Sequence, residues 1–305
     1  MTAQEELDPD EIAKLIEQQQ AFRRLDASLG ISPLWEQGVF GFGVTVAVLD
    51  TGINVDCPFS SQVSARYDQQ CRPTSEEPSS PHGTNIAACI NLVAPKADLL
   101  SFSVFPGDTV PGLLFNRMVR DAVANALNFC IDSYPRIRIA NLSLAVPRGP
   151  LFPCSPEHPC KMCAAVNRAA DCGILVIVAA GNTGPEEDTI ECPGLAKGAL
   201  TVGATLSQAE DQQAHIDDNA SQRYGTSFSA AYVSGGIALI LSRYPNATRY
   251  QVQQALRATA APLPDVPSNA QGAGRVGFSR AMDALDALLR KSEDPTRGSV
   301  DPEPG

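Results

Sequence analysis

Short apolar runs that alternate with helical patterns constrain the fold of this chain most strongly. Residues 44–49 and 173–179 are rich in β-branched side chains and too short for buried helices, so they predict buried strands. Further strands are predicted over 98–104, 137–142 and 200–202, and helices over 83–91, 113–131, 160–170, 227–241, 248–258 and 279–289. Strands alternating with helices predict an α/β fold, with a mostly parallel sheet covered by helices on both faces. In such a sheet, functional groups collect at the carboxyl ends of the strands.

Composition narrows the possible partners and locations. The chain has 305 residues, 44% of them hydrophobic, which is enough for a sizeable core. Its net charge of −11 argues against nucleic acid and anionic membranes as partners. The sequence contains no apolar stretch of about 18 residues, so we expect no membrane span. Because its first ten residues are acidic and polar, unlike a secretion signal, we expect a cytoplasmic location.

The two ends of the chain differ from its middle. Residues 1–30 predict an N-terminal arm with an amphipathic helix over 10–26, and residues 31–291 a main domain. Residues 292–305 are polar, acidic and contain proline, which predicts a disordered tail.

Ser227 heads the most apolar helix of the chain. A Gly-Thr turn at 225–226 is followed by Ser227 and then by an almost uninterrupted apolar run, which predicts a buried helix. At the first turn of such a helix, unpaired backbone N–H groups and the positive end of the dipole would stabilise an oxyanion. A serine in this position is also common simply as a helix cap.

Asp50 and His82 lie where a parallel sheet would place reactive groups. Asp50 closes the strand at 44–49, and His82 precedes a helix. The other two histidines, His158 and His215, lie among cysteines and in a polar run. The order Asp, His, Ser is one of the known orders of the serine-hydrolase triad. Serine needs a base to take its proton, histidine has a suitable pKa, and a carboxylate orients the ring.

Asn182 follows the most apolar strand, in the run Ala-Ala-Gly-Asn at 179–182. Its side-chain amide could donate to an oxyanion together with the backbone N–H of Ser227. Asparagine is equally a common turn residue after a strand.

Together these motifs resemble the subtilisin-like serine proteases, the subtilases. The resemblance runs from about residue 35 to 241, through the segments around Asp50, His82, Asn182 and Ser227. It implies a subtilisin-like three-layer fold, with Asp50 orienting His82, His82 as general base and then acid, Ser227 as nucleophile and Asn182 in the oxyanion hole. It also implies that residues 141–145 form an edge strand that pairs with an extended substrate. The implied substrate-binding residues are Ser143, Leu144, Ala145 and Gly181.

Three departures from the family pattern carry expectations of their own. The calcium-binding insertion that often follows the His helix is missing between 88–91 and 92–95, so we expect no high-affinity calcium site. Ala145 stands where the family usually has glycine, which should narrow the pocket for the residue before the cut. Residues 206–223 are short and polar, so we expect a more open substrate side.

The segment 154–163 concentrates metal-ligating residues. It contains Cys154, His158, Cys160 and Cys163, and the last two have the short spacing of zinc ligands. The alternatives are a disulfide involving this loop, or reduced thiols on a surface insertion. Since reduced thiols are the ordinary state of cytosolic cysteines, we expect no cofactor.

The sequence therefore predicts a serine endopeptidase that acts through an acyl-enzyme, and we expect it to process a dedicated peptide or protein. The alternatives are acyl transfer to an amine, and a subtilisin-fold module that binds peptides without turnover. Three other motif interpretations fail. An aspartic protease would need a second triplet like Asp50-Thr51-Gly52, and a dinucleotide-binding fingerprint would need Gly41 and Gly43 after their strand instead of before it. An α/β-hydrolase would need a Gly-x-Ser-x-Gly motif, which does not occur. The sequence does not determine the oligomeric state.

Overall fold

A six-stranded parallel sheet organises the structure, a computed structural model that describes residues 29–107, 110–184, 186–205 and 225–293. The strands are β1 (Thr45–Asp50), β2 (Val63–Tyr67), β3 (Asp98–Ser103), β4 (Ile137–Leu142), β5 (Leu175–Ala179) and β6 (Ala199–Val202). Their order in the sheet is β2-β3-β1-β4-β5-β6, and every pairing is parallel. The predicted parallel α/β architecture is confirmed.

Helices cover both faces of the sheet. They are α1 (Ser32–Trp35), α2 (His82–Val93), α3 (Gly112–Asp132), α4 (Lys161–Asp171), α5 (Thr226–Arg243), α6 (Arg249–Thr259), α7 (Ser268–Gln271) and α8 (Phe278–Glu293). The apolar faces of α2, α5, α6 and α8 lie in one core with Val46 and Val48, whereas those of α3 and α4 lie in a second core with Ala47 and Leu49. Side chains of β1 enter the two cores alternately, because successive residues of a strand point to opposite faces of the sheet.

Burial explains which elements the sequence predicts. β1 and β5 are buried along their whole length, and most of α5 is buried too, as its apolar run predicts. The sequence missed β2, because this strand lies at the sheet edge and its polar side chains are only partly covered. At the start of α6, Thr248 and Gln251 form the predicted capping box.

Parts of the predicted domain organisation lie outside the described residues. Residues 1–28, most of the expected arm and all of its predicted helix, are among them, as are 206–224 and 294–305. The domain boundaries therefore stay predictions. None of the helices within the described ranges is both long enough and apolar enough to cross a membrane.

Candidate active site

Asp50 and His82 form a hydrogen-bonded pair at the carboxyl end of the sheet. Asp50 is the last residue of β1 and is fully buried, and His82 is the first residue of α2. Oδ1 of Asp50 lies 2.8 Å from Nδ1 of His82 and accepts the Thr51 backbone N–H at 2.7 Å. Since a carboxylate can only accept, this contact places the ring proton on Nδ1 and leaves Nε2 as an acceptor.

Gly83 lets α2 begin directly against the end of β1. A Cβ at this position would lie 2.4 Å from the carbonyl oxygen of Gly52, and 3.1 Å from Oδ1 of Asp50. The Gly83 N–H donates to Oγ1 of Thr51 at 2.9 Å, and that hydroxyl donates to the Ser80 carbonyl at 2.9 Å. The glycine after His82 is thus required for the close approach that joins histidine and aspartate.

The pairing changes the titration of His82. Its pKa is raised above the ordinary value, chiefly by the hydrogen bond to Asp50, with the carboxylate charge acting in the same direction. Burial of the ring acts in the opposite direction but does not outweigh the carboxylate. The His82 side chain keeps 37% of its surface exposed, so the ring is reachable from solvent.

Ser227 is the second residue of α5, at the end of the helix where backbone N–H groups have no partner within the helix. Its hydroxyl donates to the backbone carbonyl of Ser143 at 3.0 Å. Within the described residues no hydrogen bond joins this hydroxyl to His82. The imidazole ring does contact the next residue of α5, since it lies edge-on to the ring of Phe228 with centroids 6.1 Å apart. Aspartate and histidine are paired in this structure, and the serine is beside them but bonded elsewhere.

Asn182 is fixed through the carbonyl end of its amide. Its Oδ1 accepts the backbone N–H of Thr226 at 3.1 Å and lies 3.1 Å from the Thr226 hydroxyl. The amide also lies beside Gly225, whose φ of +129° would strain any other residue and where a Cβ would lie only 3.2 Å from Oδ1. Because Oδ1 is held by Thr226, the NH₂ end of Asn182 is the free donor at the start of α5.

The structure corrects the predicted substrate edge. β4 is an interior strand, and Asn141 and Leu142 pair with β5, Asn141 with β1 as well. The prediction of an edge strand over 141–145 is wrong for Asn141, because both of its sides face neighbouring strands. The rest of the predicted substrate edge, Leu142 and the segment beyond β4, stays a prediction. This segment ends at Val146, which pairs with Cys192.

The side chains of that segment differ in what they could offer a substrate. Ser143 and Leu144 are buried, 2% and 4% exposed, so their side chains do not face solvent. Ala145 and Gly181 are partly exposed. Roles for these four residues in binding substrate stay predictions.

A buried polar chain that the sequence did not reveal joins β4 to α5. Asn141 donates through Nδ2 to the Ser143 hydroxyl at 2.9 Å, and Ser143 donates to the Ser227 carbonyl at 2.7 Å. Ser234, one of the few polar residues inside α5, donates to Oδ1 of Asn141 at 2.9 Å. The available signal was a polar residue in an otherwise apolar strand or helix, since a buried polar group requires a partner.

The connection from α2 to β3 is short. α2 ends at Val93 and β3 begins at Asp98, so the segment between them spans residues 94–97. The expectation that the chain binds no calcium there stays a prediction. The expected open region at 206–223 lies outside the described residues.

The four metal-ligating residues of the segment 154–163 are only partly brought together. The sulfurs of Cys154, Cys160 and Cys163 converge, but the fourth member of the group is Cys192. His158 lies outside the group: a turn, in which the His158 N–H donates to the Ser155 hydroxyl at 3.1 Å, leaves this residue exposed.

An Asp–His pair, a helix-borne serine and a nearby amide on a parallel α/β sheet have the composition of a serine-peptidase site. Comparison with known proteins agrees with a serine-peptidase assignment. The subtilase family matches residues 41–223 and 210–274, and the chain belongs to this family.

Two curated relatives illustrate the similarity. The thermostable alkaline protease of Halalkalibacterium halodurans is 30% identical over 256 residues, which cover 73% of this chain but only 64% of that protein. Subtilisin BL of Lederbergia lenta is 28% identical over 273 residues, 80% of this chain and 93% of its own length.

Solved structures show the same fold. The MycP3 protease of a type VII secretion system aligns with a TM-score of 0.64 and 23% identity, covering 84% of this chain and 87% of its own. The prenylagaramide maturation protease PagA aligns with a TM-score of 0.62 and 21% identity, and the alignment covers 84% of this chain and 98% of PagA.

Proposed function

We propose that this chain is a serine endopeptidase that cleaves peptide bonds through an acyl-enzyme on Ser227. The observation that carries the proposal is the 2.8 Å contact between His82 Nδ1 and Asp50 Oδ1, beside a serine at the start of a buried helix. This contact orients the imidazole and favours the charged form that proton transfer creates. The membership of the chain in the subtilase family supports the same chemistry.

The resting hydrogen bond of Ser227 suggests how substrate would activate it. The carbonyl of Ser143 accepts the Ser227 hydroxyl at 3.0 Å. An extended peptide pairing along residues 143–145 would offer backbone N–H groups to carbonyls of that segment. If a peptide N–H donates to the Ser143 carbonyl in place of Ser227, the Ser227 hydroxyl is released and can rotate towards Nε2 of His82. Catalytic hydrogen bonds commonly form only once substrate is bound.

The oxyanion of the tetrahedral intermediate would meet two donors. One is the backbone N–H of Ser227, which points out of the first turn of α5. The other is the amide of Asn182, whose oxygen end is held by Thr226. His82, having taken the hydroxyl proton, would return it to the leaving amine, and water would then release the acyl group.

We further propose that the substrate is a dedicated peptide or protein, as expected from the sequence. Two solved structures of the same fold are named for such roles, the prenylagaramide maturation protease PagA and a lanthipeptide protease. These resemblances are at 21% identity, so they support the fold and only suggest the type of substrate. A protease of this kind should degrade a generic substrate such as casein poorly, which a fluorogenic casein assay beside subtilisin would test.

The same resting bond favours a second candidate, a peptide-binding module without turnover. A fluorophosphonate probe separates the two, because it reacts only with an activated serine. We expect wild-type chain to be labelled, Ser227→Ala to be unlabelled, and Ser229→Ala to be labelled like wild type. Ser229 is a matched control on the same helix. Folded wild-type protein that stays unlabelled would favour the module, and labelled Ser227→Ala would refute the nucleophile.

A further inference from the structure

Four cysteine sulfurs converge beside the first turn of α4. The sulfurs of Cys154, Cys160, Cys163 and Cys192, hereafter the cysteine cluster, all lie within 4.8 Å of one another. In a tetrahedral site with Zn–S bonds of about 2.3 Å, the sulfurs would be about 3.8 Å apart. Cys154 and Cys163 are already 3.5 Å apart, so small side-chain movements would place four sulfurs around one ion.

The backbone presents the cluster as zinc sites commonly do. Cys160 precedes α4 and Cys163 lies in its first turn, the two-residue spacing that directs two sulfurs to one side. The Cys160 N–H donates to the sulfur of Cys154 at 3.2 Å. Such donors stabilise negative charge on a metal-bound thiolate. The local chain is therefore arranged for sulfurs that carry charge.

A buried arginine is the second observation. Arg120 of α3 is 5% exposed, and its guanidinium donates to the sulfur of Cys160 at 3.0 Å and to the Pro147 carbonyl at 2.8 Å. In the ranges that the structure describes, no carboxylate forms an ion pair with Arg120. A buried cation requires a compensating negative charge, and four thiolates around Zn²⁺ carry a net charge of −2.

We propose that the cysteine cluster is a structural zinc site, with Cys154, Cys160, Cys163 and Cys192 as ligands and Arg120 as a charge-compensating neighbour. Two disulfides would be neutral and would leave Arg120 without a counter-charge. Four protein ligands leave no open position, as in structural and unlike catalytic zinc sites. Cys163 and Cys192 are buried, which shields the ion further.

The site would connect two loops that border the candidate active site. Cys192 pairs with Val146, whose N–H donates to the Cys192 carbonyl at 2.8 Å, just after the segment 143–145. The preceding Glu191 donates its N–H to the Ala180 carbonyl at 3.2 Å, next to Gly181 and Asn182. A metal at Cys192 would hold these loops against each other and against α4. This consequence concerns position and does not depend on whether Ser227 is a nucleophile.

The direct test is the metal content of the full chain, produced without a polyhistidine tag in zinc-supplemented medium. Inductively coupled plasma mass spectrometry should find about one zinc per wild-type chain. Exchange with Co²⁺ should give the sulfur-to-cobalt charge-transfer and d–d absorption of a tetrahedral thiolate site. Protein without metal would overturn the proposal, whether intact mass shows disulfides or thiol reagents show free cysteines. Iron in place of zinc would overturn it too.

Variants locate the ion. Cys192→Ser should lose most of the zinc, whereas Cys172→Ser should retain it, since Cys172 follows the same helix but lies outside the cluster. His158→Ala should retain zinc as well. Zinc kept by Cys192→Ser, or lost from Cys172→Ser, would contradict the assignment. If Cys192→Ser does not fold, the cobalt spectrum of wild type still reports the thiolate ligands.

The two proposals are separable with one further sample. Ser227→Ala should contain as much zinc as wild type, because Ser227 does not touch the cluster. A metal-free but probe-labelled wild type would defeat the zinc site alone, and a zinc-containing but unlabelled wild type would defeat the peptidase alone.

Discussion

The candidate active site and the cysteine cluster are both assembled from distant parts of the chain, but one is open and the other closed. In the candidate active site each functional group is held through one side only. Asp50 binds His82, Thr226 binds the oxygen of Asn182, and the Ser143 carbonyl accepts the Ser227 hydroxyl. Nε2 of His82 and the NH₂ of Asn182 have no partner among the described residues. In the cysteine cluster, the sulfurs instead face one another.

This difference indicates different uses of polar groups. A site that works on a substrate needs fixed groups with unused donors and acceptors, so that the reaction meets prepared partners. A site that holds the fold needs all its ligands satisfied internally. Substitutions in the open site should therefore change rates with little loss of stability, whereas substitutions in the closed site should change stability and metal content.

Asp50→Asn should have the largest effect of the open-site changes. An amide in place of the carboxylate offers Nδ1 of His82 the wrong partner and favours the wrong tautomer, which costs about 10⁴-fold in kcat in a serine protease. Above the pKa of His82, where the charged pair no longer stabilises the fold, the melting temperature should change much less than kcat does.

Steady-state kinetics and thermal unfolding would be measured beside the matched variant Asp98→Asn, an exposed position at the start of β3. Zinc content should be unchanged in both. A kcat for Asp50→Asn within tenfold of wild type would remove Asp50 from the proposed mechanism.

Asn182→Ala should have the next largest effect. Loss of one oxyanion-hole donor lowers kcat by about 10²–10³-fold, the size measured in a subtilisin. KM should change little, because the donor acts on the oxyanion and not on the bound peptide. Thr183→Ala, at the adjacent exposed position, is the control and should keep the wild-type kcat. An equal loss in both variants would indicate a damaged loop instead of a missing donor.

Short motifs explain why the open site could be predicted. Asp50 ends an apolar strand and Asn182 follows another, and His82 and Ser227 each lie in the first turn of a helix. In a parallel sheet such positions meet at one edge, so these local patterns and one topological rule predict that the four residues lie near one another, whereas their roles are implied by the family resemblance. The capping box at Thr248 was equally local, since both of its partners lie within one turn.

The missed features depend on tertiary neighbours. A chain segment does not specify which strands will flank it, so the predicted edge over 141–145 included Asn141, although β1 and β5 lie on either side of it. The same limit hid Cys192, which joins the other three cysteines only because its loop pairs with Val146. Spacing favoured His158 because it is near in sequence, but a local turn directs it to solvent.

The pH dependence should be a smaller and more diagnostic effect. His82 must be neutral to act as a base, and Asp50 raises its pKa above the ordinary value of about 6.5. We therefore expect kcat/KM to increase about tenfold per pH unit at acidic pH and to level off above a pKa higher than 6.5. In Asp50→Asn the inflection should move to lower pH. Proton NMR of the histidine rings, with His82→Ala to assign the signal, would measure both pKa values.

Stability should change with pH in the opposite direction to activity. Because the pKa of His82 is higher in the folded than in the unfolded chain, the protonated ring stabilises the fold. This contribution is complete below about pH 6.5 and is lost as the pH rises through the folded pKa. The difference in unfolding free energy between wild type and His82→Ala should accordingly narrow as pH rises and activity appears. A difference that widens with pH, or an activity inflection below 6.5, would contradict the pairing of His82 with an ionised Asp50.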